Sequence, residues 1–203
     1  CGGALLDQNT VLTAAHCSEG VKPTSVVVHA HFLSLQDIGK ISVQFRVNEI
    51  IIHPKYNSQT FNNDVSIWKV SPEFGDTKQL KIYPTLADKT NTYVGNVLTA
   101  AGWGRTLNGS ATGSDTLREV NLKVLDDTSC QQIYSVIPRN AFCAGSSKVE
   151  KVNSQNDTCQ GDSGGPLFDQ STPPTIVGIV SNGVDCGSAA GIYADVASLL
   201  PWI

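Results

Sequence analysis

The stretch Asn156–Phe168 reads NDTCQGDSGGPLF. Three glycines, a proline and two acids surround one serine, Ser163. Glycine on both sides of a serine opens backbone dihedrals closed to other residues. Such a turn can aim successive N–H groups into an anion-binding concavity, and a hydroxyl there lies beside donors suited to an oxyanion. A G-x-S-G in isolation reads equally well as a tight surface turn, so its meaning depends on what the rest of the chain supplies.

A serine hydroxyl is a weak nucleophile without a base, and the chain has four histidines. His53 precedes Pro54 in HPKYN, an extended segment and turn, and reads as structural or solvated. His29 and His31 alternate on one strand face without a third ligand and read as surface. His16 ends VLTAAHC, an apolar-to-small run. A disulfide at Cys17 would fix its backbone, which suits a base that must be held in place. A base histidine needs an orienting carboxylate. Asp64, in NNDVSIW, stands at the entry to an apolar strand, where an acid drawn inward needs a strong partner such as an imidazole. Taken singly, His16 reads as a satisfied core residue, Asp64 as part of a solvated turn and Ser163 as a surface turn. The three readings do not hold together.

The composition narrows the classes. At 203 residues the chain fits one β-rich domain or two small lobes sharing a core. A 40% hydrophobic and 16% charged chain is an ordinary globule. A net charge of -4 leaves no basic stripe for phosphates, which argues against nucleic acid as a partner. No apolar run approaches the ~20 residues that span a bilayer, so no membrane insertion is expected. The six cysteines, at 1, 17, 130, 143, 159 and 186, form no C-x-x-C pair, so a structural zinc is disfavoured. They are either buried thiols or three disulfides, and the second implies an oxidising, secreted setting. Spacing alone does not choose the pairing. The chain opens on Cys1 without a signal peptide, inside what reads as structured sequence, so N-terminal residues are expected to be missing.

The pattern is of short strands cut by turns. Candidate strands are Val26–Phe32, Phe45–Ile52, Val65–Val70, Asn96–Trp103, Leu117–Leu125, Thr175–Ser181 and Gly191–Val196. Helix is scarce: Asp127–Tyr134 is the candidate, capped by Asp127 or Thr128. Thr106–Thr116, TLNGSATGSDT, reads as an exposed, mobile loop. The fold class is therefore all-β, a sandwich or barrels.

LTAAHC, NNDVSIWKV and CQGDSGGPLF, in that order, resemble the trypsin/chymotrypsin-like serine proteases. CGGALL at the start, TAAGWGRT in the middle, FCAG, GIVSNG and PWI extend the resemblance from Cys1 to Ile203. It implies one domain over 1–203 built as two packed six-stranded antiparallel β-barrels, with an activation segment and the extreme C-terminal end missing. It implies His16 as general base and then acid, Asp64 as its orienting carboxylate, and Ser163 as nucleophile. The N–H groups of Gly161 and Ser163 would form the oxyanion hole, and Ser181 would support Asp64. The implied disulfides are Cys1–Cys17, Cys130–Cys143 and Cys159–Cys186. Asp157 falls at the floor of the primary pocket, with Gly183 and Gly191 on its walls, so cleavage after Arg or Lys is expected.

Three departures bear on this. Asn182 stands where the family usually has tryptophan, which takes a large apolar surface from the pocket rim. Asp162 matches the acid that receives a freed N-terminal ammonium, and the activation segment that would supply it is absent; a natural chain beginning at Cys1 would be zymogen-like. The Lys22–Phe45 region holds one acid, Asp37, so the carboxylates of a calcium loop are lacking and no metal is expected. Two N-x-[ST] sequons occur, at Asn108 and Asn156. Asn108, in the loop, is the expected glycan site, and Asn156, beside the pocket floor, is expected to be bare.

The sequence thus points to a secreted, monomeric serine endopeptidase acting after Arg/Lys through an acyl-enzyme, without cofactor. Its expected partners are protein or peptide substrates and proteinaceous protease inhibitors. The alternative is a non-catalytic binding or inhibitor protein on the same fold, which usually lacks a member of the Ser-His-Asp set; none is lost here. An α/β-hydrolase would show G-x-S-x-G and the order Ser, acid, His, whereas this chain shows His, Asp, Ser.

Overall fold

A computed structural model describes residues 1–20, 23–29, 42–74, 82–89, 93–148 and 156–203. Two antiparallel sheets account for most of it. The first is built from β1 (Ala4–Asp7), β2 (Thr10–Thr13), β3 (Ser25–His29), β4 (Ser42–Ile52) and β5 (Ser66–Phe74), in the order β1-β2-β5-β4-β3. The second is built from β6 (Thr85–Leu86), β7 (Val97–Gly102), β8 (Arg118–Lys123), β9 (Ala141–Ala144), β10 (Pro166–Phe168), β11 (Thr175–Asn182) and β12 (Gly191–Asp195). Its order is β8-β7-β10-β11-β12-β9, with the short β6 running parallel beside β11. The fold is nearly all-β, as the strand pattern predicts, with five and seven strands among the described residues.

The candidate strands all fall on observed ones. For Val26–Phe32 the part beyond His29 lies outside the described residues, as do His31, Asp37 and the side chain of His29. β1, β2, β9 and β10 are at most four residues long, too short to show alternation, and only pairing with longer neighbours makes them strands. The helix α1 spans Asp127–Gln131, shorter than predicted. Its cap is Asp126 rather than Asp127 or Thr128: Asp126 keeps extended dihedrals (φ -72, ψ 163) and its side chain accepts from Ser129 N–H. A second short helix, α2 (Val196–Leu199), is capped in the same way by Asp195.

Each sheet has its own core. Phe45, Trp68 and Val70 fill the first, and Leu98, Leu122, Leu167 and Tyr193 the second. A third cluster joins them: Leu12, Val65 and Ile67 from one half pack with Ile176, Ile179, Ala194 and Leu199 from the other. Polar contacts continue this seam. Arg139 N–H donates to Asn62 Oδ1 at 2.6 Å, and Asn140 Nδ2 donates to Asn63 Oδ1 at 2.8 Å. Both Asn63 and Asn140 adopt left-handed dihedrals (φ 56 and φ 57), which asparagine tolerates better than most residues. The seam is where the candidate residues gather.

Candidate active site

His16 sits on a 3-10 turn, Ala15–Ser18, directly after β2. Ala14 and Ala15 before it are fully buried, and the small side chains let β5 close in: Ser66 Oγ donates to Ala14 O at 3.0 Å. Cys17 is bridged to Cys1, with Cα atoms 6.1 Å apart. The imidazole is therefore held from both sides. Asp64 follows the left-handed Asn63 just before β5, and its side chain is wholly buried, whereas that of His16 retains 18% exposure.

Three donors converge on this buried carboxylate. His16 Nδ1 lies 2.7 Å from Asp64 Oδ2, the His16 backbone N–H donates to Oδ1 at 3.0 Å, and Ser181 Oγ donates to Oδ2 at 2.6 Å. A carboxylate at Nδ1 calls for the tautomer with its proton on that nitrogen, leaving Nε2 free to accept one. Phe61 sets its ring edge against the imidazole, with centroids 5.8 Å apart. Phe61 and Ser66 are absent from the sequence-based site, since their contacts with His16 and Ala14 arise only in the fold.

The Ser163 turn is tied to the same corner. Gly2 N–H donates to Ser163 O at 2.6 Å, and the Cys17 sulfur lies 3.6 Å from that oxygen. Gly164 adopts φ 79, and a side chain on it would meet Thr13 Oγ1 and the Gly2 carbonyl oxygen, so this position admits only glycine. Among the described residues the Ser163 hydroxyl makes no hydrogen bond, and no protein acceptor takes the N–H of Gly161 or Ser163.

Asp162 turns the other way, inward. Its carboxylate accepts from Gly104 N–H at 2.8 Å and from Cys159 N–H at 3.0 Å, and a Cβ on Gly104 would collide with it. The glycines of TAAGWGRT are explained by this approach. Burial raises the Asp162 pKa, against the pull of those two amides. A cavity of about 540 Å³ borders Asp162 and is also lined by Asp157, Cys159, Gly104 and Arg105. A second, of about 490 Å³, runs beside Gly161 and is lined by Gly2, Trp103 and Gln160.

Asp157 accepts from Thr158 N–H at 2.8 Å and from Gly187 N–H at 3.1 Å. Burial pushes its carboxyl up to about 6, opposed by those amides and reinforced by nearby Asp162. Gly191 lies over it: a Cβ there would be 3.5 Å from Asp157 Oδ1 and 3.3 Å from the Tyr193 ring. Gly183 faces Gly191, with its own Cβ position 3.5 Å from the Gly191 Cα. Neither glycine lines the cavity of about 540 Å³. The Tyr134 hydroxyl, which sequence reasoning missed, staples this wall by donating to Ala190 O at 2.6 Å and accepting from Val184 N–H at 3.2 Å. Asn182 is the last residue of β11, opposite Ile192.

The other pairings are Cys130–Cys143 and Cys159–Cys186, so all three disulfides match the implied ones. His53 packs on Trp202 with ring centroids 4.9 Å apart, and burial lowers its pKa; it is structural. Cys1, His16 and Cys17 bring ligand-type atoms within 4.8 Å of one another, but sulfurs joined in a disulfide are no thiolate ligands.

The family model described as Trypsin matches residues 1–203. Mouse "Transmembrane protease serine 7" is 30% identical over all of this chain, which spans 25% of that protein. Drosophila melanogaster "Serine protease filzig" is 32% identical over the whole chain, which covers 12% of its length. "Chymotrypsin" of Phaedon cochleariae is 31% identical, again over the whole chain and 70% of the relative. Among solved structures, the mouse brain serine protease neuropsin superposes with a TM-score of 0.82 at 30% identity, covering 100% of this chain and 86% of that one. The chain thus spans about a quarter or less of the longer relatives.

Proposed function

The chain belongs to the trypsin family of serine proteases, and on that premise we propose that it is an exported endopeptidase domain cutting after arginine or lysine. The observation that carries the mechanism is the buried Asp64 carboxylate holding His16 Nδ1 at 2.7 Å. Ser163 Oγ attacks the scissile carbonyl carbon while His16 Nε2 takes its proton. The oxyanion so formed is met by the free N–H groups of Gly161 and Ser163. His16 then returns the proton to the leaving amine, and the C–N bond breaks. Water, activated by the same nitrogen, hydrolyses the ester and releases the acid. Asp64 orients the imidazole and stabilises the transient imidazolium.

Asp157 supports the substrate preference. A buried carboxylate that accepts from only two backbone amides among the described residues has lone pairs left for a guanidinium or ammonium arriving from outside. Three disulfides support export to an oxidising compartment, and no helix among the described residues is long and apolar enough to cross a membrane. Asp162 beside its cavity supports a zymogen: an ammonium freed by cleavage would pair with it there. We read the domain as monomeric and open to proteinaceous inhibitors.

The test is hydrolysis of a chromogenic arginyl amide by the mature protein, with Ser163→Ala as control. Turnover lost in the variant supports the reading, and equal rates refute it. A phosphonyl fluoride that fails to label Ser163 would favour a non-catalytic binding protein.

A further inference from the structure

Loop 106–114 carries a feature that the proposed chemistry does not use. Asn108 is the second residue of a four-residue turn, in which Ser110 N–H donates to Leu107 O at 3.1 Å and Gly109 takes φ 79. The loop is pinned at its base, where Ser114 N–H reaches Trp103 O at 3.0 Å and Gly104 O at 3.1 Å. The Asn108 side chain does not stand off into solvent: its Oδ1 accepts from Gln160 Nε2 at 3.1 Å. Gln160 immediately precedes Gly161, one of the two unused N–H donors, and both line the smaller cavity. Asn108-Gly109-Ser110 is also an N-linked glycan acceptor sequence.

We propose that Asn108 bears an N-linked glycan at the lip of the reactive cleft, where it screens out large substrates and protein inhibitors but admits short peptides. The inference rests on the reading of an exported protease. In the transfer step, Asn108 Nδ2 attacks C1 of an oligosaccharide carried on a polyprenyl diphosphate. The C1–N bond forms, the C1–O bond breaks, the diphosphate leaves with the bonding pair, and the amide nitrogen gives up one proton to the transferase. Only the nitrogen is consumed. Oδ1 keeps its lone pairs and still accepts from Gln160, so the root of the glycan stays one residue from Gly161. The other acceptor sequence differs: the Thr158 hydroxyl is engaged with Tyr193 at 3.0 Å within the fold. Among the described residues Ser110 Oγ, on the exposed loop, reaches only Thr112 O, at 3.1 Å.

The experiment secretes the protein from a glycosylating eukaryotic cell, alongside Ser110→Ala, which removes the acceptor sequence but keeps Asn108. Mass analysis of the Asn108 peptide, before and after an N-glycosidase, is expected to find the glycan in the parent and none in the variant. The variant, and the parent after deglycosylation, are expected to associate with a folded protein inhibitor about three- to tenfold faster. The kcat/KM for a short arginyl amide should stay within about twofold. An unmodified Asn108, or association rates unaffected by the glycan, overturns the proposal. Absence of amide hydrolysis in every form instead refutes the protease reading, and the screening role falls with it whatever the mass shows.

Discussion

The Asp64 carboxylate takes three donors from two parts of the chain, and the one supplied by Ser181 is the easiest to remove cleanly. A hydrogen bond to a charged group contributes about 1.5–3 kcal/mol. Ser181→Ala should therefore lower kcat about tenfold or more and leave KM close to its parent value, as steady-state kinetics on an arginyl amide would read. Asp157 gives a pH-dependent prediction. Its folded pKa is raised from 3.8 to about 6, so the folded state holds the proton more tightly than the unfolded chain. The stability that this proton contributes is complete below about pH 4 and is lost as pH rises through about 6. Asp157→Asn should then gain stability relative to the parent between those values, by about 3 kcal/mol at neutral pH, as denaturant midpoints at pH 4 and pH 7 would report. The affinity of an arylamidine, which needs the ionised carboxylate, should fall about tenfold per pH unit below pH 6. At this scale the sequence was legible where side chains carry chemistry. His16 and Ser181 converge on the Asp64 carboxylate, and Asp157 lies under Gly191. Phe61 and Tyr134 were hidden because a ring edge on an imidazole and a hydroxyl on a carbonyl leave no pattern in one chain.

At the scale of elements, the Ser163 turn is held by its own bonds (Asp162 N–H to Cys159 O, Gly165 N–H to Asp162 O), by β11 through Gly164 N–H to Val180 O at 2.8 Å, and by Gly2 N–H to Ser163 O at 2.6 Å. Gly164 both adopts φ 79 and abuts Thr13 and Gly2. Gly164→Ala combines left-handed strain with a clash against backbone, and is expected to cost more than about 2 kcal/mol. A thermal melt that matched the parent would contradict that account of the turn. The long strands β4, β5 and β11 could be read from their runs of Val, Ile and Phe. β1, β2, β9 and β10 could not, since their identity comes from partners elsewhere in the chain. α1 shows the limit of local signals: with Asp126 and Asp127 adjacent, only the backbone conformation decides which one caps.

For the whole molecule, the seam matters most. Leu12, Val65 and Ile67 share one cluster with Ile176, Ile179 and Leu199, so neither sheet completes its burial alone. Fluorescence of Trp68, in the first sheet, and far-ultraviolet ellipticity should accordingly report one denaturation midpoint; two separated midpoints would show that the halves are independent. Because His16 and Asp64 belong to the first half and Ser181 and Ser163 to the second, the full set of reactive groups exists only while the halves are shut. On the proposed mechanism a newly made or heat-loosened molecule is consequently harmless to its neighbours: the reactive set is lost together with the seam that the two sheets share.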